Sequence, residues 1–378
     1  MKKVLLLGAG LVGYPMALDL AKTGEFDLSV ADFNENSISR LNASGINAIK
    51  IDLSDTKAVE SLVIDYDLIL DAVPGYMGFQ TFKTVIEAGK DIVDIAFFPE
   101  DPFVLNDLAK SKGVTAIMDM GVAPGMSNIL IGYADHLLDK TSRAVIYVGG
   151  LPKIRTWPYE YKAVFSPIDV IEEYTRTARF VRNGKIVEMP ALTEAELMDF
   201  QGIGTLEAFN SDGLRSLMFT IDAPEMIEKT LRYPGHIEKM KVLRETGFFS
   251  YDEIIVNGHS IRPIDLTTKL LFPKWKLEEG EEDVTIMQVI IEGISSGKMH
   301  KYQYDLLDQY NKETKVHSMA RTTGYAATAA LRMLANGSFP EKGVIVPEVI
   351  GKYPDCVKFI LDELKQRGVV YREEITPL

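Results

Sequence analysis

The chain has 378 residues, 46% of them hydrophobic and 25% charged, which is enough for two domains with separate cores. Its formal net charge of −13 excludes the basic face that nucleic-acid binding needs and opposes attraction to anionic lipid. A single cysteine, Cys356, cannot form an internal disulfide, and with five histidines it shows no zinc-ligand spacing.

Lys2 and Lys3 precede an apolar run, but Gly8, Gly10 and Gly13 interrupt it and Asp19 and Lys22 follow. The segment therefore reads as structure and not as a targeting signal, and no stretch reaches the roughly 20 apolar residues that span a bilayer. A soluble, cytoplasmic protein is expected.

Strands are predicted at residues 3–7, 27–31, 47–52, 67–72, 91–95 and 115–118, rich in Val, Ile and Leu. Helical spacing fills the segments between them, which predicts a parallel, doubly wound α/β sheet of the Rossmann type. From about Arg143 the pattern changes. The extended run 144–148 ends in Gly149-Gly150, and extended runs flank Asn183-Gly184 and Ser295-Ser296-Gly297, so the second domain is expected to be α+β with a largely antiparallel sheet. The acidic stretch 278–283 reads as a solvated loop. Helices are predicted at 320–335, closed by Asn336-Gly337, and at 354–367.

Gly8-Ala9-Gly10-Leu11-Val12-Gly13 follows the first strand directly and opens a helix. In that setting the first glycine serves a tight turn, the second lets a pyrophosphate approach the backbone, and the third lets helix and strand pack. Asp32 ends the second strand about twenty residues on, where a carboxylate accepts from ribose hydroxyls and repels a 2′-phosphate. The expected cofactor is NAD. Asp52 either edges the adenine or is simply a polar strand end. Ala72, Val73 and Pro74 after the fourth strand, Phe97 after the fifth, and Asp119 and Gly121 after the sixth are expected to line the nicotinamide end; for Pro74 and Phe97, a role in the turn or the core is the alternative.

Gly121-Val122-Ala123-Pro124-Gly125-Met126-Ser127-Asn128, Tyr147-Val148-Gly149-Gly150-Leu151-Pro152, Thr230-Leu231-Arg232-Tyr233-Pro234-Gly235-His236 and Lys342-Gly343-Val344 occur in that order. With these motifs the chain resembles the saccharopine dehydrogenase-like family over nearly its whole length. Within that family it is most similar to enzymes that oxidise the ε-amine of lysine with NAD. The saccharopine reductases typically have a Ser-Tyr pair where this chain has Ala96-Phe97, and an acid where it has Ala123. The resemblance implies that the C-terminal helices return to the first domain. This sets the boundaries at 1–123 and 320–378 for the Rossmann domain and 124–319 for the substrate domain, in a homo-oligomer.

Oxidation of a primary amine requires a neutral nitrogen, and lysine's ε-ammonium has an ordinary pKa of roughly 10.4. His236 is the first candidate for acid–base work, with a hydrogen-bonded structural histidine as the alternative; Glu160 and Asp119 come next. Arg232 is the candidate for gripping the substrate α-carboxylate. Arg215 is a second candidate or a member of a surface ion pair. Tyr159 and Tyr161 either hold the α-ammonium or form a packed turn. Two other functions stay open: a dehydrogenase acting on a secondary amine such as saccharopine, and a non-catalytic NAD-binding sensor.

Overall fold

Apolar runs and helical segments alternate through the first 120 residues because the inner strands are buried on both faces and each strand needs a helical crossover to stay parallel to its neighbour. The computed structural model describes residues 1–278 and 280–378. In chain order the first strands are β1 (Lys2–Leu7), β2 (Phe26–Asp32), β3 (Asn47–Lys50), β4 (Leu68–Asp71), β5 (Asp91–Asp94) and β6 (Thr115–Ile117). Then come β7 (Lys140–Pro152), β8 (Thr177–Arg182), β9 (Lys185–Pro190), β10 (Glu196–Phe200), β11 (Gly204–Asn210) and β12 (Glu225–Arg232). The last are β13 (Ile254–Val256), β14 (His259–Ile261), β15 (Asp283–Ser295), β16 (Lys298–Gln309), β17 (Gly343–Ile345) and β18 (Tyr371–Pro377).

Two compact units result: Met1–Leu137 with Ala320–Tyr371, and Leu138–Met319 with Arg372–Leu378. The first unit holds a seven-stranded sheet in the order β17-β6-β5-β4-β1-β2-β3, all parallel. One face carries Leu5, Leu7, Ile69 and Ile92 against Val59, Phe82, Val85 and Ala109 of the crossover helices. The seventh strand, β17, comes from the C-terminal return and is three residues long, too short to show a period. The boundary of the unit lies at Leu137, beyond the predicted 123, because the helix Met126–Leu137 packs on Pro347–Gly351 with almost no space between backbones. A Cβ on Gly132 would stand 2.2 Å from the Glu348 carbonyl oxygen. The helix Ser318–Ala335 is tied to the first helix, Gly13–Thr23, by Arg332, whose Nη1 lies 2.8 Å from Asp19 Oδ2 with both groups buried.

The second unit is a mixed sheet, β10-β11-β12-β7-β15-β16-β18, with β8 paired to β12 and β9 to β8. From β10 through β16, and through β8 and β9, the pairs are antiparallel apart from β7 with β12, a parallel pair that no local signal announces. Asn183 and Gly184 turn β8 into β9 with φ of 53° and 68°, the left-handed pair that an Asn-Gly hairpin requires. Gly149 lies inside β7 and does not end it; a side chain there would meet the Leu231 carbonyl oxygen at 2.7 Å. The acidic stretch is also not all solvated loop. Asp283 is fully buried and accepts from Ser318 N and Met319 N, while Glu279 lies outside the described residues. Helices Pro167–Thr175, His236–Glu245 and Pro263–Trp275 close a core around Tyr174, Phe209 and Trp275.

Candidate active site

The glycine loop follows β1 as its sequence implies, and each of its three glycines meets a different neighbour. A Cβ on Gly8, at φ 92°, would stand 2.8 Å from the Ala72 carbonyl oxygen, and one on Gly13 would stand 2.2 Å from that of Gly8. These two positions are closed by backbone. A Cβ on Gly10 would meet nothing within 4 Å, so the glycine leaves open space beside the start of the helix Gly13–Thr23. Val12 provides no side-chain cap there, and helix-start N–H groups facing open space suit a pyrophosphate. Leu11 is largely exposed beside them.

Asp32 ends β2 and is buried; its Oδ2 accepts from Ala9 N and its Oδ1 from Asn34 N, each at 2.7 Å. The carboxylate thus orders the glycine loop and keeps lone pairs for ribose hydroxyls. The residues that follow are Phe33, Asn34 and Glu35, and the exposed Glu35 pairs with Lys50, the register partner of Asp32 on β3. Asp52 lies two residues past the end of β3. It is exposed, and its Oδ1 closes a turn on Ser54 N and Oγ at 2.9 and 2.7 Å. Ala72, Val73 and Pro74 form the turn after β4, and Ala72 abuts Gly8. Phe97 follows β5 half-buried, Asp119 follows β6 buried at φ 52°, and Gly121 N donates to the Pro124 carbonyl at 3.1 Å. The residues present fit a dinucleotide.

In the second unit the Tyr-Pro-Gly-His segment runs into the core. Arg232 is 1% exposed. Its Nη2 lies 2.5 Å from Glu173 Oε2, its Nε donates to Tyr174 Oη at 3.1 Å, and its Nη1 donates to the Leu231 carbonyl at 3.0 Å. Its guanidinium also sits 4.6 Å from the centre of the Tyr161 ring. The candidate grip for a substrate carboxylate already holds an internal carboxylate.

His236 opens its helix fully buried. Nδ1 donates to the Tyr159 carbonyl at 2.8 Å, and Nε2 accepts from Tyr174 Oη at 2.9 Å. Burial and the Arg232 charge push its pKa down to about 3, so the ring is neutral across the physiological range. Both nitrogens are occupied, which corrects the acid–base assignment of His236. Tyr161 is buried 5.0 Å from the His236 ring and 5.5 Å from Trp275, and Tyr159 packs edge-on to Trp275 at 6.2 Å. The two tyrosines belong to this packed cluster. Glu160, at φ 52°, is ion-paired with Arg155. Arg215 is buried at φ 52° in the segment between β11 and β12.

One group the sequence reading missed is Glu228. It is 3% exposed, accepts from Ser211 Oγ at 2.6 Å and from Gly213 N at 3.1 Å, and is pushed up to about 8, mainly by burial. Ser211 and Thr230 hydroxyls meet at 2.7 Å beside it. Period-two spacing along β12 puts Glu228, Thr230 and Arg232 on one face, which was legible; the loop that meets them was not. No cluster of metal-ligating side chains occurs among the described residues, and no described helix is long and apolar enough to cross a membrane.

Together these units have the build of a Rossmann-type dinucleotide-binding protein with a separate α+β unit. The chain belongs to the saccharopine dehydrogenase family: residues 4–117 match the saccharopine dehydrogenase NADP binding domain, and residues 121–369 match the saccharopine dehydrogenase C-terminal domain. It is 24% identical over 451 residues to a saccharopine dehydrogenase [NADP(+), L-glutamate-forming] of Saccharomyces cerevisiae, covering 99% of both chains. It is 22% identical over 450 residues to the mouse mitochondrial alpha-aminoadipic semialdehyde synthase, 99% of this chain but about half (48%) of the mouse protein. A carboxynorspermidine synthase of Vibrio cholerae is 22% identical over 391 residues, 93% of each. The solved structure of the yeast saccharopine dehydrogenase (L-Glu forming) superposes with a TM-score of 0.81 at 20% identity, covering 100% of both chains, and so shares the fold.

Proposed function

We propose that the protein is an NAD-dependent L-lysine 6-dehydrogenase, oxidising the ε-amine to α-aminoadipate semialdehyde, which cyclises, with release of ammonia. The observation that carries the substrate class is the charge pairing of the second unit. Its cations Arg232, Lys229 and Arg179 are matched by its own Glu173, Glu196 and Asp212 at 2.5, 2.7 and 2.9 Å. Saccharopine brings three carboxylates, each of which needs a cation or several N–H donors. Lysine brings one. The turn after β5 also offers Ala96 and Phe97 in place of polar anchors, and the alignment with the yeast relative spans 451 positions, more than this chain's 378 residues. The relatives' names support the rival reading, a secondary amine of the saccharopine kind.

NAD, when bound, supplies the acceptor for the hydride that leaves C6 of the substrate. The glycine loop holds its pyrophosphate, Asp32 its ribose, and Ala72, Val73 and Pro74 edge the nicotinamide. Asp119 takes the proton from the ε-ammonium. It stands at the carboxyl edge of the sheet, buried at a φ of 52°. Water then adds to the iminium carbon and ammonia departs. The test is a screen of L-lysine, L-ornithine, saccharopine and α,ω-diamines with NAD and NADP, read at 340 nm. Lysine with NAD is expected to lead. Saccharopine turnover with glutamate as product would replace this reading, and NADH binding with no amine-dependent absorbance would make the protein a sensor.

A further inference from the structure

Two aspartates end adjacent parallel strands of the first unit. Asp71 of β4 and Asp94 of β5 are register partners, and both are fully buried. Alternation puts them on the face of Ile69 and Ile92, within the core that holds Phe82 and Val85. Each uses one oxygen to hold the turn after its own strand: Asp71 Oδ1 accepts from Val73 N at 3.1 Å, and Asp94 Oδ1 accepts from Ala96 N at 2.8 Å. Among the described residues no N–H or hydroxyl reaches Asp71 Oδ2, and the register places the Asp94 residue beside Asp71 on the neighbouring strand. Two carboxylates are both acceptors, so a hydrogen bond between them exists only while one of them carries a proton. Burial pushes Asp71 up to about 7 against the opposing effects of Val73 N and Asp94.

The register neighbours are apolar. Leu7 of β1 is the register partner of Asp71 on the other side. On β6, the strand beyond β5, Ala116 and Ile117 pair with Ile92 and Val93, and in the loop that follows Met120 N donates to the Asp94 carbonyl beside Asp119. On the helices over this face, Lys83 and Glu87 pair with each other at 3.6 Å, while Lys57, Glu60, Asp107, Lys110 and Lys112 are exposed.

We propose that Asp71 and Asp94 share one proton and act as a positioning pair for the dinucleotide, so that cofactor binding weakens when the proton is lost. This rests on the reading of the glycine loop as the cofactor site. The coupling runs through backbone packed without slack. A Cβ on Gly75 would stand 2.6 Å from the Phe97 carbonyl oxygen, so the turns after β4 and β5 touch. The turn after β4 in turn touches the glycine loop, where a Cβ on Gly8 would stand 2.8 Å from the Ala72 oxygen and one on Gly13 3.4 Å from the Ala72 Cβ. With one proton the pair carries a single charge and a hydrogen bond. With none, two buried like charges repel, and the ends of β4 and β5 cannot part without moving both turns and the loop that cradles the pyrophosphate.

NADH fluorescence titration of the full chain between pH 6 and 9 tests this. In the unaltered protein Kd is expected to rise by about tenfold from pH 6.5 to 8.5, within the one-proton limit of tenfold per pH unit. Asp94→Asn supplies a permanent donor to Asp71, and Asp71→Asn the mirror arrangement; in each, Kd is expected to stay flat while the fold is kept. A merely structural role would weaken binding at all pH values without removing the slope. Tight but pH-independent binding by the unaltered protein overturns the pair and leaves the cofactor site standing, and so does a slope that survives in a folded Asn variant. No NADH binding at any pH overturns the cofactor reading itself.

Discussion

Replacing His236 separates a role in chemistry from a role in holding the second unit together. Its side chain is fully buried, bonded through Nδ1 to the Tyr159 carbonyl and through Nε2 to the Tyr174 hydroxyl, which itself accepts from Arg232. His236→Ala leaves both partners unmatched in the core and opens a cavity beside Tyr161 and Trp275. Unsatisfied partners and a cavity of this kind cost about 2–4 kcal/mol together. At a urea slope of about 2 kcal/mol per molar, the midpoint should fall by about 1–2 M.

The pH dependence has a definite sign. The folded pKa, about 3, lies below the unfolded value, about 6.5, so the unfolded chain binds the extra proton between them. Stability from this group is fully present above pH 6.5 and is lost as pH falls towards 3, by about 1.4 kcal/mol per pH unit. His236→Gln keeps hydrogen-bonding groups without a titrating ring. It should therefore lose about 2 kcal/mol less than the unaltered protein between pH 7 and pH 5 in urea unfolding. Neither variant should remove a limb of the pH–rate profile near neutrality. A stable His236→Ala protein with kcat down by roughly 10²- to 10⁴-fold and one limb missing would refute the reasoning and return His236 to the chemistry.

Gly10→Ala and Gly13→Ala should diverge: the first meets open space, so it keeps Tm within a few degrees and weakens NADH binding about tenfold or more, while the second meets the Gly8 oxygen at 2.2 Å and lowers Tm itself. Equal effects on Tm would show that the loop is mispositioned. Arg332→Met removes one of the two cations on the buried Asp19 carboxylate, which keeps Arg367 and Thr328, at a cost of about 1.5–3 kcal/mol in denaturant unfolding; an unchanged midpoint would mean the pair is not formed. Asp32→Ser should narrow the preference for NAD over NADP, mainly in KM, because the carboxylate beside the ribose repels a 2′-phosphate. Equal use of both cofactors by the unaltered protein would contradict that assignment.

What the sequence made legible was local. The Gly8–Gly13 loop and Asp32 lie within one strand–helix–strand run, where spacing alone places them, and the Asn183-Gly184 and Ser296-Gly297 hairpins need only their own turns. The roles of Arg232 and His236 depend on Glu173 and Tyr174, some sixty residues earlier, and nothing in a linear reading brings those segments together. A motif marked by Arg and His looked like chemistry and proved to be a satisfied buried network. Leu-Asp-Ala-Val and Val-Asp-Ile-Ala place Asp71 and Asp94 at the same point of two neighbouring strands. Only the register shows that they meet.

The central claim is that hydride leaves C6 of lysine. Incubation with L-lysine deuterated at both C6 positions and with NAD tests it most directly, by mass spectrometry of the reduced cofactor and assay of ammonia. The expected result is one deuterium in each reduced cofactor, one ammonia per cofactor reduced, and a slower rate than with ordinary lysine. Reduced cofactor without deuterium, or label transferred instead from lysine deuterated at the α-carbon, would contradict it.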